Sequence, residues 1–183
     1  MSTVSAKRPK SKPFELLIDQ KQIARRITEM GDEITRDYAG EVPVLIGVLK
    51  GCAIFLADLM RQIKLPVELE FVSAASYRKG TKIGDDIQIS GLINSSIKGR
   101  HILLVEGIVD SGRTVTQIAE KLRKLEPASL EIVTLMDKPT AHRTKVDIKY
   151  RGFSIGNEFV IGFGLDNTQK YRNLPFIGRL LEE

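Results

Sequence analysis

The 183-residue chain holds one cysteine and two histidines, and none of its apolar runs approaches the roughly 18 residues that a membrane-spanning helix needs. Each shortage excludes something. Cys52 has no partner for an internal disulfide, and with no cysteine or histidine near it in sequence it reads as a small buried apolar residue rather than a nucleophile. His101 and His142 are likewise isolated and are given no metal or catalytic role. The opening MSTVSAKRPKSKPF has basic residues but no apolar core of a signal peptide after them, so a cytoplasmic protein without a membrane partner is expected. Neither GxxxxGK[ST] nor GxGxxG occurs, which removes the P-loop and dinucleotide fingerprints.

What is present is ordinary globular material: 42% apolar and 28% charged residues, enough for one well-filled core. The net charge of +5 is unevenly placed. Lys7, Arg8, Lys10 and Lys12 lie in an opening stretch without acids, and the rest of the chain is nearly balanced. Residues 1–13 therefore read as a disordered basic tail and 14–183 as a single domain. An RNA-contacting arm is the other reading of the tail, but no nucleic-acid partner is expected, because the folded part shows no basic stripe with interleaved aromatics.

Asp19, with Gln22 three positions on, marks a helix start, and Ile23, Ile27, Met30 and Ile34 follow at helical spacing. VPVLIGVL, AIFLADLMRQI and PVELEFVSAA then read as strand, helix and strand. HILLVE, the turn GIVDSGR, the helix TVTQIAEKLRKLE and the strand SLEIVTLM repeat that order. Apolar strands without alternation, joined by helices, predict an α/β fold with a parallel twisted sheet covered on both faces. SYRKGTKIGDDIQISG reads as a long mobile loop of the kind that forms lids, leading into a strand, with an exposed hairpin as the plainer option. VDIKY and EFVIGFGLD are expected as further strands.

Ligands of open parallel sheets bind beyond the carboxyl ends of the strands. Three such ends carry unusual residues: Lys50-Gly51, Glu106 to Thr114, and Asp137-Lys138. Asp110 and Ser111 read equally well as plain helix caps. As a phosphate site, Asp110, Ser111, Gly112, Arg113 and Thr114 would offer close backbone approach at Gly112, two hydroxyls and the positive end of a helix dipole. The nearby carboxylates imply a ligand that carries more than a phosphate.

The run ILLVEGIVDSGRT resembles the phosphoribosyl pyrophosphate signature of type I phosphoribosyltransferases. GVLKG, SYRKGT, DKPTAHR and EFVIGFGLDNTQKYRNLP, in that order, resemble the further motifs of the hypoxanthine-guanine members of that family. The resemblance runs from about Leu16 to the C-terminus. It implies a parallel sheet flanked by helices, with a small hood from the chain ends, and an enzyme that moves ribose 5-phosphate from phosphoribosyl pyrophosphate to a 6-oxopurine base, with Mg2+. A homodimer or homotetramer is implied as well.

By the same resemblance Asp110 exchanges a proton with purine N7, Lys138 donates to the 6-oxo group, and Phe159 stacks on the base, although a core aromatic fits that residue equally. Val160 and Asp166 meet the purine 2-position through their backbones. Lys50, Gly51 and Arg172 bind pyrophosphate, in a turn that often holds a non-proline cis peptide, and Ser76 and Tyr77 ride on a loop that closes over the reacting centre. Glu106 and Gly107 line the ribose and metal side, and Asp166 and Glu106 contact the metal. Where the family has Glu-Asp, this chain has Glu106-Gly107, so a carboxylate is missing. A lost hydrogen bond to a charged group predicts a penalty of at most about 10- to 150-fold. Two outcomes follow: an active enzyme with altered substrate or magnesium affinity, or a phosphoribosyltransferase-fold regulator that binds nucleotide with little or no catalysis.

Overall fold

The structure, a computed structural model, describes residues 13–79, 82–90 and 97–181, with backbone alone over 74–79 and 82–90. The basic stretch 1–12 lies outside the described residues.

Strand β1 (Phe14–Ile18) leads into helix α1 (Gln20–Asp37). The Asp19 carboxylate accepts from the Gln22 N–H at 2.8 Å, and the Gln22 side chain accepts from the Asp19 N–H at 2.9 Å. The expected helix start is thus a reciprocal capping box, which satisfies two donors that the helix cannot. Strand β2 (Val44–Leu49), helix α2 (Ala53–Gln62) and strand β3 (Glu68–Lys79) follow, then β4 (Lys82–Ser90). Next come β5 (His101–Val109), α3 (Arg113–Arg123), β6 (Ser129–Asp137) and β7 (Tyr150–Ser154). Two short strands, β8 (Val160–Ile161) and β9 (Ile177–Leu180), end the fold.

The main sheet runs β4-β3-β2-β5-β6-β7, parallel except for the antiparallel edge strand β4. Although β2, β5 and β6 are mostly apolar, their buried side chains divide between two faces. Leu45, Leu103, Val105, Val133 and Leu135 pack with α1 and α2 on one side, while Val44, Ile46, Ile102, Leu104 and Ile132 pack with α3 on the other. Burial on both faces is why these strands lack alternation in sequence. Gly31 lets α1 lie close to α2, since a Cβ there would stand 2.4 Å from the Cβ of Gln62. A second sheet of β1, β9 and β8, all antiparallel, unites the two ends of the described chain as the expected hood.

Four expectations shift. Of SYRKGTKIGDDIQISG the described residues, 76–79 and 82–90, form paired arms of β3 and β4, with Ser76 opposite Ile87 and Lys79 opposite Lys82, because Ile83, Ile87 and Ile89 carry a strand's period of two. β5 extends to Val109, so Gly107 to Val109 belong to the strand and not the turn. In place of VDIKY the strand is Tyr150–Ser154; Val146 and Ile148 reach the core from irregular backbone, which mimics a strand's pattern. EFVIGFGLD shortens to Val160–Ile161, because Gly162, Phe163 and Gly164 all take positive φ and end the extended run.

Candidate active site

After β2 the chain moves one way along the sheet to β3 and then crosses to the other side as β5. The carboxyl ends of β2 and β5 therefore face the switch point, where a crevice must open. The turn after β2 carries Lys50 and Gly51, with a cis peptide between Leu49 and Lys50. The turn after β5 carries Asp110 to Thr114, and β6 next to it ends at Asp137, followed by Lys138. Two hollows with shared lining residues result.

The first, about 230 Å³, is lined by Glu106, Val109 and the 110–112 turn together with Thr114 and Val115. Gly112 takes φ +79, and a Cβ there would stand 2.5 Å from Val146 and 2.9 Å from the Thr144 hydroxyl. Only glycine suits both the conformation and the space. Gly112, not Asp110 or Ser111, occupies the position before α3, and no side chain caps that helix. The plain-cap reading of Asp110 and Ser111 is thereby removed. The Ser111 carbonyl accepts from the Arg143 N–H at 2.9 Å, which ties the turn to the segment after β6.

The second hollow, about 280 Å³, shares Asp110 and Ile108 with the first and adds Lys50, Gly51, Lys138, Phe159, Val160, Asp166 and Arg172. Lys138 is 6% exposed, so it is no solvated surface lysine, and its ammonium donates to the Asp110 carboxylate at 2.7 Å. Phe159 is 53% exposed and lines the hollow, which removes the core-aromatic alternative. Arg172 donates to the Gly164 carbonyl at 2.7 Å and pairs with Asp166 at 2.8 Å, while the second Asp166 oxygen accepts from the Gln169 N–H at 2.7 Å. Gln169, to which sequence reasoning gave no role, accepts from both Lys50 and Arg172 at 3.5 and 3.3 Å. Glu106 accepts from the Gly107 N–H at 2.9 Å, but burial outweighs that bond and pushes its carboxyl up to about 8. Ser76 and Tyr77 lie on β3, and their side chains are outside the described residues.

Sequence reading also missed a support. Asp137 is fully buried, and its two oxygens meet the His142 imidazole and the Arg151 guanidinium, each at 2.8 Å. This arrangement staples down the turn that carries Lys138, whose N–H donates to the Val109 carbonyl at 2.9 Å. The only signal was the interval between Asp137 and His142, bent back by Pro139; Arg151 was not detectable, because it arrives from β7.

The pattern of the phosphoribosyl transferase domain matches residues 15–168. The chain belongs to the phosphoribosyltransferase family. Among relatives of this phosphoribosyltransferase, the hypoxanthine-guanine phosphoribosyltransferase of Streptococcus pneumoniae is 40% identical over 169 residues, 92% of this chain and 94% of that protein. The hypoxanthine phosphoribosyltransferase of Escherichia coli is 41% identical, over 91% of this chain and 95% of its own length. A crystal structure of a hypoxanthine-guanine phosphoribosyltransferase from Bacillus anthracis, 37% identical, superposes with a TM-score of 0.87 over 93% of this chain and all of that one. The family and fold expected from the motifs are therefore those observed. No helix among the described residues is long and apolar enough to cross a membrane.

Proposed function

We propose that this phosphoribosyltransferase serves purine salvage, transferring ribose 5-phosphate from phosphoribosyl pyrophosphate to hypoxanthine or guanine to give IMP or GMP and pyrophosphate. The observation that carries the reading is the buried Lys138 paired with Asp110 at 2.7 Å inside the cleft. A 6-oxopurine presents its O6 acceptor beside N7 on one edge. A cationic donor and a carboxylate side by side match that edge, and adenine's 6-amino group would face the lysine with a second donor.

As the bond from the anomeric carbon to the pyrophosphate oxygen breaks, its electron pair leaves with pyrophosphate. N9 forms the new bond to that carbon, and the proton on N7 passes to Asp110 as the ring charge shifts. Positioning and electrostatics supply most of the acceleration. Phe159 stacks on the base, and the backbones of Val160 and Asp166 accept from the 2-amino group of guanine. The Asp110 to Thr114 turn, including the Ser111 hydroxyl and the Arg113 and Gly112 backbone, holds the 5-phosphate at the start of α3. Lys50, Gly51 and Arg172 hold pyrophosphate. Ser76 and Tyr77, on the β3 arm, are assigned to closure over the reacting centre, where excluding water prevents hydrolysis.

Asp166 and Glu106 are the carboxylates offered to Mg2+, a cation that binds through few carboxylates and substrate phosphates; Asp166 fits that role as it stands, whereas Glu106 would have to give up the proton that burial holds on it, up to about pH 8, before it could contact the cation. Asp166, although engaged by Arg172 and Gln169, keeps further lone pairs for such contact. Magnesium bound with the substrate supplies neutralisation of the departing pyrophosphate. A cytoplasmic location and assembly as a homodimer or homotetramer complete the reading, supported by the family.

Initial rates with hypoxanthine, guanine, xanthine and adenine, each with phosphoribosyl pyrophosphate over a magnesium titration, test it. Turnover of the first two and not of adenine is expected. No turnover at saturating substrate and magnesium would leave the chain a nucleotide-binding regulator.

A further inference from the structure

Gly107 stands where the family pattern has an acid, yet its backbone does not need glycine, for its φ is not among the positive values that five other glycines adopt. What it needs is space. A Cβ on Gly107 would lie 2.7 Å from the Gly51 carbonyl oxygen, 2.8 Å from its carbon and 3.2 Å from the Cys52 nitrogen. All three are backbone atoms and cannot swing aside as a side-chain tip does. The same Gly51 oxygen lies 2.4 Å from the Cβ position of Gly164, so it is wedged between two glycines from distant parts of the chain.

The far side of the turn offers no relief. Cys52 is fully buried, the Leu56 N–H donates to the Cys52 carbonyl at 2.7 Å, and the Ala53 N–H donates to the Lys50 carbonyl at 3.2 Å. A Cβ at 107 therefore presses on the backbone of the Lys50-Gly51 segment.

We propose that Gly107 is a positioning residue: its missing side chain seats the Gly51 carbonyl against β5 and thereby sets the turn that presents Lys50 and Gly51 to pyrophosphate. This rests on assigning that turn to pyrophosphate. Gly107 is then more than an absent carboxylate, and restoring aspartate at this position harms the site through its bulk.

Cys52, the only cysteine of the chain, reports the movement, since it is fully buried and follows Gly51 directly in that turn. The experiment uses the full chain, with Gly107→Ala and Gly107→Asp as variants. It reads the alkylation rate of Cys52 together with the KM values for pyrophosphate and for IMP in the reverse reaction. Both variants are expected to label about tenfold faster, as a locally loosened segment does, and to raise the pyrophosphate KM about tenfold with the IMP KM unchanged. Unchanged labelling, or faster labelling without a rise in pyrophosphate KM, overturns the proposal. So does a gain of activity in Gly107→Asp with Gly107→Ala neutral, which would make the residue a missing carboxylate and nothing else. Failure of Gly107→Ala to fold overturns it too, because the displacement is confined to one turn. An unmodified chain without turnover would remove the transferase reading, while Cys52 labelling would still decide whether Gly107 seats the turn.

Discussion

Two side chains show how position alters chemistry at the scale of single residues. Lys138 has lost nearly all contact with water and donates to Asp110 at 2.7 Å, so removing its amine leaves that carboxylate without its buried partner. Lys138→Ala is expected to lower kcat/KM for hypoxanthine by about 10- to 150-fold, the worth of a charged hydrogen bond, with little change in the KM for phosphoribosyl pyrophosphate. Steady-state kinetics with each substrate varied in turn check this. Glu106 is set by burial, which favours its neutral form and pushes its carboxyl from about 4.5 to about 8. The folded chain thus holds that proton more tightly than the unfolded chain. Its contribution to stability is full below pH 4.5 and is lost as pH rises to about 8. Urea unfolding of Glu106→Gln without divalent cations is expected to show a weaker decline over that window than the unsubstituted chain. The sequence named Glu106, but its environment could not be read, since the turn after β2 must come against β5 to surround it.

Elements differ in how much of their boundaries is local chemistry. The start of α1 was legible because Asp19 and Gln22 satisfy each other within one turn, and Asp19→Ala is expected to cost about 0.5–2 kcal/mol in chemical denaturation. The contact of α1 with α2 was not legible. It depends on Gly31 meeting Gln62, two residues whose adjacency nothing in the linear pattern announces. Gly31→Leu is expected to force the helices apart and to lower stability by roughly 1–3 kcal/mol, measured by the denaturant midpoint. β7 and β8 were misplaced for a related reason. Val146 and Ile148 satisfy the core without belonging to a strand, and the positive-φ run from Gly162 to Gly164 ends a segment whose composition reads as extended.

For the whole molecule, the site joins two sheets of different origin. Lys50, Asp110 and Lys138 extend from the main sheet, while Phe159, Val160 and Asp166 come with the hood, and the hollow between them has both as walls. A nucleotide that touches both should resist unfolding of either. At about a hundredfold over its Kd, IMP is expected to stabilise the chain by about 2.7 kcal/mol, visible as a melting temperature several degrees higher, and AMP at the same concentration by less. Equal shifts with the two nucleotides would count against Lys138 as the reader of the 6-position.

The sequence by itself determined the parallel α/β architecture, the capped first helix and the ordered motifs of the family, because hydrophobic spacing, caps and short loops act between neighbours along the chain. It also brought Asp110 and Lys138 forward as candidates through turns at strand ends, and Phe159 and Arg172 through their resemblance to the family motifs. Tertiary structure alone decided that a buried Lys138 pairs with Asp110, that Asp137 is clasped by His142 and Arg151, and that Gly107 meets Gly51 rather than solvent. Those outcomes depend on the spacing between strands five or more decades of residues apart in some cases and on which backbone atoms fill the gap, and close packing is a property of the folded volume that no local pattern encodes.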